Sequence, residues 1–131
     1  MLIDIQQSRR VHTFSQDDFD AFARLSGDHN AIHLNGEFAA AHTPFRGPVA
    51  HGMLLYTVFE GMLTHLAPNA RLAVSTLMFP APTYADEAIE FSLALSVAEG
   101  NQARRARFQA MRRADGIITC EGDARLVEGH R

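Results

Sequence analysis

The stretch Leu25-Ser-Gly-Asp-His-Asn-Ala-Ile-His33 contains the residues of this sequence that are best suited to chemistry. It carries a carboxylate, Asp28, and an imidazole, His33, five positions apart, together with Gly27 and Asn30, which tolerate unusual backbone angles. An acid and a base held on one bent segment can share a water molecule, which is a common arrangement for general acid–base catalysis. The alternative is a polar loop in which Asp28 and Asn30 are turn residues. On this stretch alone, the alternative is favoured.

The residues before this stretch predict a helix that ends at Gly27. Ser15 is a good N-cap, and Asp17 and Asp18 place negative charge in the first turn, where it suits the helix dipole. An apolar stripe at helical spacing is predicted from Phe19, Phe22, Ala23 and Leu25. A short strand over residues 9–14 precedes this helix, and a second short helix is predicted over Asn35 to Ala41.

The most apolar segment, His51 to Leu66, predicts a helix that is buried on most sides. Two glycines in it, Gly52 and Gly61, lower helix stability, so each is expected to allow a close approach by another element. The nine residues before it contain Pro44, Gly47 and Pro48 and are expected to form a loop.

The remainder of the chain predicts antiparallel strands over residues 72–79, 89–97, 103–113 and 117–127. Gly100-Asn101 and Asp115-Gly116 mark turns. A three-residue loop over 114–116 sets a register that keeps apolar side chains on one face. The expected pairs are Arg107–Asp123, Gln109–Glu121, Ala106–Ala124 and Ala110–Cys120. The predicted class is α+β, with one long central helix wrapped by a curved antiparallel sheet.

Composition narrows the possible functions and partners. The 131 residues are 47% hydrophobic, enough for a single domain over residues 1–131. The formal net charge of -3, without a basic cluster, argues against nucleic acid as a partner. A single cysteine, Cys120, suits a reducing cytoplasm, and we expect neither a signal peptide nor a membrane span. Open sheet edges lead us to expect a homodimer that joins two sheets edge to edge.

Three segments resemble the MaoC-like, (R)-specific enoyl-CoA hydratases. Leu25 to His33, with Ala39 six residues after His33, is similar to the family motif Gly-Asp-x-Asn-Pro-aliphatic-His, then five residues, then Ala or Ser. Phe45-Arg-Gly-Pro-Val-Ala-His-Gly-Met-Leu54 resembles the loop that leads into the family's central helix. A third similarity, at the end of a strand, comprises Phe79, Pro82 and Asp86. The segments have the family's order and span about residues 14–127.

The resemblance implies the hotdog fold and hydration of a trans-2-enoyl thioester, or the reverse dehydration of a (3R)-3-hydroxyacyl thioester. The substrate would be an acyl-CoA or acyl-carrier-protein thioester, without a cofactor. Catalytic roles carry over to Asp28 and His33, which would hold the reacting water, and to the backbone N–H of Gly52, which would bind the thioester oxygen. The candidate substrate-binding residues are Asn30, His51, Tyr56 and Arg46. Of these, Asn30 is favoured to shape the loop and His51 to have a structural role, while Arg46 could contact CoA.

The sequence departs from the family pattern at three positions. Ala31 stands where relatives usually have proline, so the loop is less rigid. Tyr56 is bulky and Glu60 is charged on the central helix, so either could narrow the acyl tunnel. Glu60 also leaves open a thioesterase with a carboxylate on the central helix, and a non-catalytic acyl-thioester-binding protein is a third alternative. A metal site built from His29, His33, His42 and His51 is disfavoured, because no acidic or cysteine partner has a ligand spacing.

Overall fold

The computed structural model describes residues 6–96, 100 and 102–128, which form a five-stranded sheet and four helices. All neighbouring strands are antiparallel, in the order β1-β3-β4-β5-β2. The predicted α+β class is therefore confirmed. The elements are β1 (Gln6–Thr13), α1 (Gln16–Ser26), α2 (Ala31–Leu34), α3 (Gly36–His42), α4 (Gly52–Leu66), β2 (Ala70–Met78), β3 (Ala88–Leu95), β4 (Arg105–Arg112) and β5 (Ile118–Glu128).

The core lies between α4 and one face of the sheet. Helix α4 supplies its buried residues Leu55, Phe59, Met62 and Leu63. The ring of Phe59 packs against those of Phe91 on β3 and Phe108 on β4, at centroid distances of 5.3 and 4.8 Å. The predicted helix is confirmed, and so is its burial on most sides: eleven of its fifteen residues are buried or half-buried, and the exposed ones are Met53, Thr57, Thr64 and His65.

Helix α1 begins and ends where the sequence predicts. The Ser15 hydroxyl accepts a hydrogen bond from Asp18 N, and the Asp18 carboxylate accepts one from Ser15 N, which completes a capping box. Gly27 ends the helix at φ 79°, a left-handed conformation that glycine adopts without strain. The predicted apolar stripe is too wide, because Leu25 is 82% exposed. Two positions after Ala23, its side chain projects from the opposite side of the helix.

The predicted second short helix is confirmed as α3, which begins after Asn35. The Asn35 side chain accepts a hydrogen bond from Phe38 N and so caps the helix. The sequence did not predict α2, the single turn that precedes it. Together these two turns connect α1 to the segment that leads into α4.

The four predicted residue pairs between β4 and β5 are confirmed. The predicted three-residue loop is wrong, because the register shifts between Ala110 and Met111, which pair with Cys120 and Ile118. Thr119 is therefore an extra residue, a β-bulge, and Arg112 N donates to Ile117 O at 2.8 Å. The predicted end of β3 at Val97 and the turn residue Asn101 lie outside the described residues.

Two glycines provide a matched test of how tightly the core is packed. A Cβ atom on Gly122 of β5 would lie 2.5 Å from the Thr76 carbonyl oxygen and 2.6 Å from the Phe108 ring. A Cβ atom on Gly61 of α4 would meet nothing within 4 Å, which corrects the expected close approach there.

Gly122→Ala should lower the free energy of unfolding by about 1–3 kcal/mol through overpacking. Gly61→Ala should raise it by about 1 kcal/mol through helix propensity. Urea unfolding of both variants tests this, and equal effects would contradict it.

Candidate active site

Short side chain–backbone hydrogen bonds shape the segment between α1 and α2. The Asp28 carboxylate accepts a bond from Asn30 N at 3.2 Å, and the Asn30 side chain accepts one from Ile32 N at 3.1 Å. Asn30 is thereby the N-cap of α2, the turn that carries His33. The chain reverses between Asp28 and His33, so the two side chains can meet.

The orientation of His33 is fixed by a buried hydrogen bond. Its Nδ1 atom lies 2.8 Å from the carbonyl oxygen of Val49. Because a carbonyl oxygen only accepts, Nδ1 carries the hydrogen, and Nε2 of the neutral ring is left as an acceptor. Nε2 lies 3.7 Å from the nearer Asp28 carboxylate oxygen. This distance is too long for a direct hydrogen bond and allows both groups to bond one water molecule.

His51 contacts both the ring of His33 and the backbone of Asp28. It is 3% exposed, and its ring stacks on the ring of His33 at a centroid distance of 3.8 Å and an angle of 22°. Its Nε2 donates to the backbone carbonyl of Asp28 at 2.9 Å. The ring of Phe22 on α1 also packs edge to face with it, at a centroid distance of 5.0 Å. His51 therefore fixes the position of the loop that carries Asp28 and the orientation of the His33 ring.

Gly52 is the first residue of α4, so its N–H has no acceptor within the helix. This N–H lies at the positive end of the helix dipole, where a partial negative charge is stabilised. The ring of Phe79 packs on the glycine, since a Cβ atom there would lie 2.7 Å from Phe79 Cζ. Any side chain at position 52 would displace this ring.

A cavity of about 420 Å³ adjoins these groups and is lined by both His33 and Gly52. Asp28 does not line it. Its side chain is 54% exposed on the outer side of His33. Most of the wall is apolar, from Ile32, Phe45, Val49, Leu55, Phe79 and Pro82. The cavity suits an apolar group that enters beside the imidazole.

Two threonines in the cavity wall were not identified from the sequence. Thr83 and Thr119 are 3% and 1% exposed, and neither hydroxyl has a hydrogen-bond partner among the described residues. A buried hydroxyl without a partner costs about 1–3 kcal/mol of stability. The burial of Thr119 follows from the bulge in β5, which periodicity does not reveal.

Tyr56 and Arg46, two predicted substrate-binding residues, do not line the cavity. The Tyr56 hydroxyl donates to the Glu60 carboxylate at 2.7 Å, and its ring packs against Phe108 at 5.9 Å. Burial, followed by the hydrogen bond to Glu60 and its charge, raises the pKa of the Tyr56 phenol. Arg46 is bound within the chain, since its guanidinium lies 3.2 Å from Glu87 and 3.8 Å from the centre of the Tyr84 ring.

Asp28, His33 and His51 offer donor atoms within 4.8 Å of one another, the spacing of a metal site. The stacking of the two imidazoles argues against one, because nearly parallel rings direct their in-plane lone pairs side by side instead of toward a common ion. The Nδ1 atom of His33 is also occupied by Val49 O. The arrangement suits acid–base chemistry better than metal binding.

Comparisons with known proteins identify the family of this chain. The family model described as "MaoC like domain" matches residues 4–117. The (R)-specific enoyl-CoA hydratase of Aeromonas caviae is 42% identical over 64 residues, which are 49% of this chain and 47% of that enzyme. The 3-hydroxybutyryl-CoA dehydratase of Methylorubrum extorquens is 34% identical over 84% of this chain and 70% of its own length.

Solved structures show the same fold. The (R)-hydratase from A. caviae involved in PHA biosynthesis superposes with a TM-score of 0.83 at 26% identity, covering 95% of both chains. This likeness confirms the predicted hotdog fold. None of the helices in the described part of the chain has the length and hydropathy that a membrane crossing requires.

The hydrogen bonds of the two stacked rings predict opposite tautomers. In its neutral form, His33 should carry its proton on Nδ1, because it donates to Val49 O, and His51 should carry its proton on Nε2, because it donates to Asp28 O. Long-range ¹H–¹⁵N correlation spectra at a pH where both rings are neutral would distinguish the two forms. Exposed His29 serves as the reference for an unconstrained ring. A proton on Nε2 of His33 would contradict this geometry.

Proposed function

Because the chain belongs to the MaoC-like domain family, we propose that it hydrates trans-2-enoyl thioesters to (3R)-3-hydroxyacyl thioesters, or catalyses the reverse dehydration. The observation that carries the proposal is the 3.7 Å separation of His33 Nε2 from the Asp28 carboxylate, beside a cavity that also reaches Gly52. The names of the Aeromonas and Methylorubrum relatives state this pair of reactions.

Asp28 and His33 act on one water molecule. Its oxygen forms the new bond to C3 of the enoyl group, one of its protons passes to the pair, and the pair supplies a proton to C2. Nε2 of His33 is suited to accept a proton, since the bond to Val49 O keeps the ring hydrogen on Nδ1. The reverse sequence removes the C2 proton and releases water from C3.

Gly52 stabilises the charge that develops during the reaction. As the C3–O bond forms, negative charge accumulates on the thioester oxygen, and the free N–H at the start of α4 donates to it. One such donor typically stabilises the transition state by about 3–4 kcal/mol. The Phe79 ring packs on Gly52 at this side of the site.

The acyl group of the substrate is attached either to CoA or to an acyl-carrier protein. Some relatives are named for CoA substrates and others for acyl-carrier-protein substrates. The mitochondrial 3-hydroxyacyl-[acyl-carrier-protein] dehydratase of Arabidopsis thaliana is 25% identical over 91% of this chain and 73% of its own length. Arg46 is a weak candidate for binding CoA phosphate, since Glu87 already compensates its charge.

The thioesterase alternative requires a free carboxylate on α4. Glu60 is the candidate, but its carboxylate accepts the hydrogen bond of Tyr56 and lies away from the cavity that reaches Gly52. A protein that only binds acyl thioesters would not need an acid and a base beside the same cavity. Both observations favour the hydratase.

We also propose a homodimer of single-domain chains, covering residues 1–131, that assembles through β2. This strand is an edge of the sheet, and Val74 and Met78 on it are 41% and 56% exposed, as is 43% of Phe79 just beyond it. The other edge, β1, carries Arg9 and Arg10, charges that oppose edge-to-edge pairing. For location we propose the cytoplasm, where the single free thiol, Cys120, stays reduced.

Substitution of either member of the acid–base pair should abolish most of the activity. Asp28→Asn and His33→Gln should each lower kcat on crotonyl-CoA by about 100- to 10,000-fold, because each removes a group that transfers or orients a proton. The loss of enoyl absorbance measures the rate. His29→Ala, which changes an exposed imidazole in the same loop, is the matched control and should keep full activity.

Thermal unfolding of the three variants separates catalysis from folding. Asp28→Asn and His29→Ala should unfold near the wild-type temperature, since both side chains are exposed. Wild-type activity in both Asp28→Asn and His33→Gln would overturn the assignment. A wild-type protein that hydrates neither CoA nor carrier-protein enoyl thioesters would overturn the proposed function.

Charge on the β2 edge should prevent dimerisation. Val74→Glu with Met78→Glu introduces two carboxylates at the proposed interface, where a buried unpaired charge is strongly unfavourable. Size-exclusion chromatography with light scattering should then report a monomer. Val11→Glu is the matched control, because Val11 is 47% exposed on the opposite edge strand. A wild-type monomer, or a monomer only with Val11→Glu, would contradict assembly through β2.

A further inference from the structure

The main-chain carbonyl groups of Asp28 and His33 both accept hydrogen bonds from side chains of other elements. Asp28 O accepts a bond from His51 Nε2 at 2.9 Å, and His33 O accepts one from Gln16 Nε2, also at 2.9 Å. The two bonds span 23 and 17 positions of the sequence. Each member of the acid–base pair is therefore tied through its backbone to a distant part of the chain.

The segment that carries the pair has little stability of its own. Helix α2 is a single turn of four residues, and an isolated turn is unstable because helix nucleation is unfavourable. His33 is its penultimate residue, and the last carbonyl groups of a helix receive no hydrogen bond from within the helix. Asp28 precedes the turn and is exposed. The positions of both side chains thus depend on contacts from outside the segment.

The two donors belong to helices that the core holds in place. Gln16 is the first residue of α1, in which Phe19 is fully buried. His51 is the N-cap of α4, in which Phe59 is fully buried as well. The hydrogen bonds from Gln16 and His51 therefore connect the short segment to two anchored elements.

Each donor is itself oriented by a further contact. Gln16 Nε2 also lies 3.1 Å from Asp20 Oδ1, one turn later in α1. Because an ionised carboxylate and a carbonyl oxygen only accept, both partners identify this atom as the amide nitrogen. His51 is buried, and its ring stacks on that of His33. Both donors are therefore restricted to one orientation.

The cavity that His33 and Gly52 line is lined neither by Gln16 nor by His51. Both residues lie behind the pair, on the side of its main chain. A substitution at either position should thus change the geometry of the pair and leave the binding of the thioester unchanged.

We propose that Gln16 and His51 are positioning residues of the reaction, which together set the 3.7 Å separation of His33 Nε2 from the Asp28 carboxylate. This inference rests on the proposed hydratase function. Gln16 fixes the main chain at His33, and His51 fixes it at Asp28. A displacement of a reacting group by about 1 Å can lower a rate by about 100-fold. The chemical step is therefore expected to depend on both bonds.

Glutamine and methionine at the two positions test the hydrogen bonds. The two side chains have similar length, but only glutamine has an N–H donor. Gln16→Met should lower kcat on crotonyl-CoA by about tenfold or more, with KM changed by less than about twofold. His51→Met should have a kcat about tenfold or more below that of His51→Gln, in which an amide replaces the imidazole as donor to Asp28 O.

Ser92→Ala is the matched control. Ser92 Oγ donates to the Gln109 carbonyl oxygen at 3.4 Å, so this substitution also removes a side-chain bond to the main chain, within the sheet. It should keep the wild-type kcat. Thermal unfolding of every variant sets an assay temperature at which both members of each comparison are folded, so a lower kcat reports the site and not the folded fraction.

Several outcomes would contradict the inference. Equal kcat with glutamine and methionine at one position would remove that residue from the proposal, and equal kcat at both positions would overturn it. A raised KM with an unchanged kcat would also overturn it, because the residue would then contact the substrate. A wild type that turns over no enoyl thioester would overturn the proposed function as well, whereas an active wild type with equal pairs would overturn this inference alone.

Discussion

The buried hydrogen bond between the His33 ring and the Val49 carbonyl oxygen connects the two segments on which the site depends. It joins α2 to the loop before α4, and the return bond from Val49 N to Ile32 O closes the connection at 3.0 Å. One contact thereby fixes three properties: the position of the imidazole, its tautomer, and the distance from His33 to the start of α4. Because this bond is buried, it is electrostatically stronger than one at the surface.

Helix α4 serves both the core and the site. Its buried face holds the sheet through Phe59, and its first residue, Gly52, offers an N–H that the helix itself cannot satisfy. Packing against the sheet therefore also orients the dipole toward the cavity. The tightness of the Phe79 ring on Gly52 shows that the glycine is required sterically as well as for access to its N–H.

The polar groups of the site differ in how well they are satisfied. His51 donates through Nε2 to the Asp28 carbonyl and stacks on His33, but its buried Nδ1 has no hydrogen-bond partner among the described residues. The hydroxyls of Thr83 and Thr119 are unpaired in an otherwise apolar wall. Tyr56 and Glu60 satisfy one another farther along α4. Among the described residues, buried polar atoms without a partner therefore occur both on the residue that supports the catalytic pair and in the cavity wall.

The sequence alone determined the features that depend on neighbouring residues. The cap at Ser15, the stop at Gly27 and the β4–β5 register follow from local hydrogen bonding and from alternation along a strand, so they could be predicted. The Asp28–His33 pair was found because its residues lie on one short segment that resembles a family motif.

Only the tertiary structure decided the features that depend on residues far apart in the chain. The tautomer of His33 is set by Val49, sixteen positions away, and the stacking of His51 on His33 could not be inferred from either residue. Leu25 continues an apolar run but points away from the core, and Thr119 is turned inward by a bulge. Spacing records which residues are present, whereas the packing of distant elements determines which of them face the cavity.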